Sequence, residues 1–156
     1  MRNVIKAALV AIALALATPL AAQDFDVGWE AAQRDDYLAA EREWRPLAEQ
    51  GHADAQIRLG QLYAAGLGVP QDDAEAVNWY RKAANQGNAL ARIALGFSYF
   101  IGSGVEQDYI QAYMWGDLAV AQGSEEAIIL LKLAAGEMTP EQIAEAQKLA
   151  REWKPK

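Results

Sequence analysis

Residues 51–86 read GHADAQIRLGQLYAAGLGVPQDDAEAVNWYRKAANQ, and residues 87–122 read GNALARIALGFSYFIGSGVEQDYIQAYMWGDLAVAQ. Laid over one another without a gap, they agree at 16 of 36 positions. Unrelated stretches of ordinary composition would agree at roughly two or three. The shared positions include Ala55/Ala91, Leu59/Leu95, Gly60/Gly96, Tyr63/Tyr99, Asp72/Asp108, Trp79/Trp115 and Gln86/Gln122. Gly51, Gly87 and Gly123 mark the period three times. Self-similarity at such an interval is the signature of a stacked array, in which each unit buries its apolar face on its neighbour.

Each unit reads as two helices. Ala55, Leu59 and Tyr63, with Leu62 beside them, form one apolar stripe, and Ala76, Trp79, Tyr80 and Ala83 follow the i, i+3, i+4, i+7 pattern of a second. Between them lie AAGLGVPQD and FIGSGVEQD, whose paired glycines suggest backbone of positive φ that reverses the chain. Small residues at Ala55, Gly60, Ala76 and Ala83 let helices approach; Leu59, Tyr63 and Trp79 fill the space between.

The helix ends agree. Asp72 with Glu75, and Asp108 with Gln111, look like capping boxes that open the second helix. Gly51, Gly87 and Gly123 sit where a helix ends in a left-handed glycine. The residues that follow them, His52, Asn88 and Ser124, are expected to cap the first helix.

Working outward, Tyr37, Ala40, Trp44 and Ala48–Gly51 match a second helix, and residues 25–34 supply a shortened first helix. Residues 25–50 thus form an N-terminal capping unit, 51–86 and 87–122 full repeats, and 123–135 a partial repeat. In the last, Ala127, Ile129 and Leu131 continue the first-helix stripe. Thr139-Pro140-Glu141-Gln142 is a strong helix start. Ile143, Ala146, Leu149, Ala150 and Trp153 give the closing helix over 139–153 an apolar face. The fold expected is all-α, a solenoid of antiparallel helix pairs with about eight helices over residues 23–156.

The first 22 residues differ in kind. Arg2 and Lys6 precede an unbroken apolar run from Ala7 to Ala17, and small residues precede Gln23. This is the pattern of a secretory signal peptide, cleaved after Ala22. The run is shorter than the roughly 20 residues a membrane span needs. Without the leader the chain carries 12 basic and 21 acidic residues, a net charge of −9. An exported product is expected, periplasmic or alternatively secreted, with no stable membrane insertion after cleavage.

Composition removes several functions. The 156 residues hold no cysteine and one histidine, so thiol nucleophiles, disulfides and multi-histidine metal sites are absent. The acidic balance disfavours nucleic acid as a partner. His52 stands alone in a cap column. The acidic pairs Asp35-Asp36, Asp72-Asp73 and Glu125-Glu126 lie at predicted helix starts, where negative charge complements the helix dipole. Gly66-Leu67-Gly68 and Gly102-Ser103-Gly104 lack the strand and the Gly-Lys pair of a phosphate loop. The five tryptophans suit core packing, with a ligand role as the alternative.

At these residues the chain resembles the Sel1-like repeat family, relatives of the tetratricopeptide repeats. The match runs through Ala55, Leu59-Gly60, Tyr63, Gly66-Leu67-Gly68-Val69, Asp72, Ala76, Trp79 and Ala83-Ala84, and again from Ala91 to Ala119. The resemblance implies a right-handed α/α superhelix whose concave face binds a protein or peptide, acting as an adaptor with no catalysis and no cofactor. Some exported relatives are rich in cysteine and linked to β-lactam binding or hydrolysis. An envelope hydrolase or β-lactam-binding protein is therefore an alternative, though this chain has none of those cysteines. A permanent subunit of a secretion or polysaccharide-export assembly is another.

Positions facing away from the Ala55-Leu59-Tyr63 stripe are candidates for the binding surface. They are Asp54, Gln56, Arg58 and Gln61 in one repeat, and Leu90, Arg92, Ala94, Phe97 and Phe100 in the next. Gln56, Gln61, Arg92, Phe97 and Phe100 are taken as the candidate protein-binding residues, with Arg92 beside aromatics as a hot spot. Packing between repeats is the other role open to them.

Overall fold

A computed structural model describes residues 24–155. The proposed leader, residues 1–22, lies outside them. The described residues form eight helices in chain order: α1 Asp24–Gln33, α2 Tyr37–Glu49, α3 Ala53–Ala65, α4 Asp73–Asn85, α5 Ala89–Ile101, α6 Tyr109–Val120, α7 Ala127–Gly136 and α8 Pro140–Glu152. Among the described residues there is no strand, and no helix is long and apolar enough to cross a membrane. The helices pair as the repeat requires. α1 packs on α2, α3 on α4 and α5 on α6, and each pair rests on the next through α2–α3 and α4–α5. The result is an all-α solenoid.

The core follows from the alternation of small and large side chains. Ala40, Ala55, Ala83, Ala91, Ala112 and Ala119 are fully buried where helices cross. Trp44, Leu47, Leu59 and Trp79 fill the first interface, and Ile57, Tyr80, Leu95, Met114 and Trp115 the second. Polar contacts recur with the period. Arg45 donates to the Tyr63 hydroxyl at 2.6 Å, and Arg81 to the Tyr99 hydroxyl at 3.2 Å.

The second helices open as expected in one half only. The Asp72 and Asp108 side chains accept from Glu75 N and Gln111 N at 3.0 Å. The reciprocal half of the box is missing, because the backbone N–H of Asp72 is taken by Tyr63 O and that of Asp108 by Tyr99 O. Each cap thus ties the second helix to the first across the loop. Thr139 makes the full box with Gln142, and Pro140 follows it. His52 and Asn88 cap α3 and α5, accepting from Ala55 N and Ala91 N.

Ser124 does not continue that column. Its hydroxyl donates to Glu126 instead, and α7 begins at Ala127 without a side-chain cap. The interior face of α7 is also displaced from the expected stripe. Ala127, Leu130 and Ala134 are buried, whereas Ile129 is exposed. Glycine explains the shift. The aromatic column Trp44/Tyr80 becomes Gly116 one period later, and Leu130 of α7 enters the space between Gly96 and Gly116. A side chain at either glycine would meet Leu130.

Gly104 is required for a different reason. It has φ +70°, and a Cβ there would overlap the backbone of Asp73 and Ala74 at the start of α4. Gly68 meets the start of α2 in the same way. The loop of one repeat therefore lies directly on the second helix of the repeat before it.

The closing helix departs from the repeat. α8 packs on α6 and not on α7. Trp153, just beyond it, sets its ring edge against Trp115, with centroids 5.9 Å apart.

Candidate docking face and the groove beside it

The repeat register places the first-helix side chains in columns. Asp54 is followed by Leu90, Gln61 by Phe97 and Leu133, Ala65 by Ile101, and Ile57 by Ile93 and Ile129. In α5 the set Leu90, Ala94, Phe97 and Ile101 lies at i, i+4, i+7 and i+11, one face of a helix. Leu90, Ile101 and Ile129 are 60%, 63% and 60% exposed, too open to serve as core. Leu133 is exposed beside them, and Phe97 and Phe100 are half-buried against Ala112, Leu130 and Ala134. The first-helix surface is thus apolar over α5 and α7. Over α3 it is polar, with Asp54 and Gln61 exposed, and over α1 the exposed Asp26 is joined by the exposed Trp29.

The five candidate residues separate into two groups. Gln61, Phe97 and Phe100 reach this side of the array. Gln56 and Arg92 are buried and committed to internal hydrogen bonds. Gln56 donates to Ala48 O at 3.0 Å and accepts from Gln86 at 2.8 Å. Arg92 donates to Ala84 O, Leu118 O and Gln122 Oε1, and its guanidinium lies 4.7 Å from the Trp153 ring centroid. Burial lowers the Arg92 pKa from its usual value. These two side chains pack between repeats and present no free surface.

The other chemistry-bearing residues are equally engaged. His52 stacks on Phe25, centroids 5.2 Å apart, besides capping α3. Asp36 caps α2, Asp73 accepts from Ser103 at 2.7 Å, and Asp35 accepts from Tyr37. Of the tryptophans, Trp44, Trp79 and Trp115 are buried, Trp153 is half-buried and Trp29 is exposed.

A groove of about 280 Å³ opens between α1 and α3 at the polar end of the face. Trp44 and Leu62 form its floor, and Trp29, Leu67 and Arg58 reach its rim. The Arg58 guanidinium lies 4.6 Å from the centroid of the Trp29 ring and donates to Gln61 Oε1 at 3.1 Å. Trp29 falls in the Gln61 column, because the α1–α2 turn is four residues shorter than the later loops: Gly28 meets Trp44 as Gly60 meets Tyr80. That shorter turn hid Trp29 from the sequence register. Leu90 is exposed, as its place away from the stripe implied, whereas Ile101, Ile129 and Leu133 were missed as surface residues. A column-by-column comparison shows Leu133 in place of Gln61 and Ile101 in place of Ala65, but Ile129 repeats Ile57 and gives no such signal.

Comparison with known proteins agrees with this architecture. The Sel1 repeat matches residues 53–88 and 89–124. One similar solved structure is a protective antigen present in uropathogenic Escherichia coli strains, displaying an SLR fold. It shares 30% identity at a TM-score of 0.79, over 83% of this chain and 28% of that one. The chain therefore spans about a quarter of that protein's length. Another is a Sel1 repeat protein from Oxalobacter formigenes, with 36% identity and a TM-score of 0.64, over 70% of this chain and 85% of that one. No curated protein matches the chain.

Proposed function

The chain belongs to the Sel1 repeat family, and on that premise we propose that it is an exported, non-catalytic scaffold that docks a protein or peptide on its first-helix face. The observation that carries this is the exposure of Leu90 and Ile101 on α5 and of Ile129 and Leu133 on α7. Contiguous apolar surface of this kind, rimmed by polar residues, marks an interaction site. Rigid repeats suit the role, because a preformed surface loses little entropy on binding. Export is supported by the leader pattern of residues 1–22. The test is a photo-crosslinking amino acid placed at Leu133 on the face, or at Asn78, an exposed position on α4. A partner captured from Leu133 and not from Asn78 is the expected result; the reverse contradicts the proposal.

A permanent partner is a second reading, favoured by the uncovered side of α7. The columns that hold Arg92 and Gly96 beneath α6 hold Ile128 and Lys132 in α7, and both are exposed because α8 packs elsewhere. A partner helix there would complete the last repeat.

A further inference from the structure

The groove between α1 and α3 contains a fixed cation with no anion. Trp29 supports the Arg58 guanidinium from one side, and Gln61 holds one of its N–H groups. The described residues hold two ion pairs, Arg34–Glu30 and Arg45–Glu41, and Arg58 belongs to neither. Asp54, one turn away on the same helix, accepts from Asn88 at 3.1 Å instead. Arg58 is thus held by Trp29 and Gln61 and is paired with no carboxylate among the described residues. Beneath it lies apolar space of about 280 Å³, walled by Trp44, Leu62, Ala65 and Leu67.

A ligand that matches both features carries a carboxylate next to a large apolar side chain. We propose that this groove binds the C-terminal residue of a peptide, its carboxylate paired with Arg58 and its apolar side chain set between Trp29 and Leu67. The upstream chain then runs along the first-helix face toward Leu90 and Phe97. The inference rests on the reading of that face as the docking surface, and it gives the bound peptide a direction. Planar guanidinium suits a carboxylate because it donates two parallel hydrogen bonds, and stacking on an indole leaves that edge open. Pre-organisation is what makes one such pair useful at a partly wet site.

The probes are acetyl-Gly-Ser-Ala-Phe as the free acid, the same peptide as its C-terminal amide, and N-acetyl-phenylalanine. Binding to the purified protein is followed by NMR, through the indole N–H of Trp29 and the amides of α3 and α5. The free acid should shift the Trp29 signal saturably, with the amide weaker by about tenfold or more. Arg58→Gln should lose that preference and Arg58→Lys recover part of it, while both unfold at the same denaturant concentration as the parent. Equal binding of acid and amide overturns the proposal, as does an undiminished preference in Arg58→Gln. N-acetyl-phenylalanine binding as tightly as the tetrapeptide would mean a site for small carboxylic acids and would overturn the peptide assignment. Shifts confined to Leu90, Phe97 and Ile129, indifferent to Arg58, would overturn the carboxylate site yet leave the docking face standing.

Discussion

Arg92 Nη1 donates to Gln122 Oε1 at 2.7 Å, bridging the start of α5 and the end of α6 across thirty residues. Gln56 and Gln86 are related in the same way one repeat earlier, at 2.8 Å. Each pair also engages a carbonyl of the preceding second helix, Ala84 O or Ala48 O. The pair is therefore a rung that joins one repeat to the next. Arg92→Ala removes the hydrogen bonds to Ala84 O, Leu118 O and Gln122 Oε1 and empties a buried site, and should destabilise by about 3 kcal/mol. Arg92→Gln recreates the Gln56–Gln86 rung and should cost clearly less. Urea unfolding of both variants checks the order; equal losses would show that the rung contributes nothing specific.

Gly104→Ala should cost more than about 2 kcal/mol, since it adds a steric overlap to the strain of positive φ. Gly123→Ala, at φ +91° with no atom near the new Cβ, should cost only the backbone strain of about 1–2 kcal/mol. Thermal unfolding of the two variants separates the terms. Equal losses would mean that the Gly104 loop does not rest on Asp73.

Trp79→Ala should destabilise by about 3–5 kcal/mol, because the ring lies in the first interface and the site has little room to collapse. An unchanged unfolding midpoint would place Trp79 at the surface.

Tyr80 gives the fold a pH dependence at the alkaline end. Burial, and secondarily the charge of Asp73, push its pKa from 10.0 up to about 12. The folded state thus favours the neutral phenol. Its contribution is complete below pH 10, the unfolded value, and is lost as pH rises through about 12. The urea midpoint should fall over that window, and Tyr80→Phe should remove this part of the fall. A parent and variant that fall together would contradict it.

If residues 1–22 are a signal peptide, the protein recovered from the cell envelope or the medium should begin at Gln23. Intact mass spectrometry of the fractionated protein decides this. A chain that keeps residues 1–22 and stays in the cytoplasm would contradict export.

Most of the fold was legible in the sequence because repetition converts weak local signals into strong ones. A single Ala55-Leu59-Tyr63 stripe is modest evidence for a helix; its recurrence at Ala91-Leu95-Tyr99 in the same register is not. The failures occur where the period does. Ile129 looked like core because it extended the pattern, but Gly116 removes the ring that Tyr80 supplies, and Leu130 takes the vacant space. Ser124 looked like a cap for the same reason. The candidate site was legible in part. Asp54, Arg58 and Gln61 share a face, whereas Gln56 is two residues from two of them and so projects to another side of the helix. The same spacing sets Arg92 apart from Leu90, Ala94 and Phe97. Trp29 was hidden by the shortened α1–α2 turn, which breaks the 36-residue register between it and the first full repeat.

The docking face is tested most directly by affinity capture from the native envelope fraction. The folded protein is immobilised beside a variant carrying Leu90→Gln, Ile101→Gln and Ile129→Gln, with equal helicity and unfolding midpoint established first. The expected result is a partner retained by the parent and lost by the variant. A partner retained equally by both would contradict docking on the first-helix face.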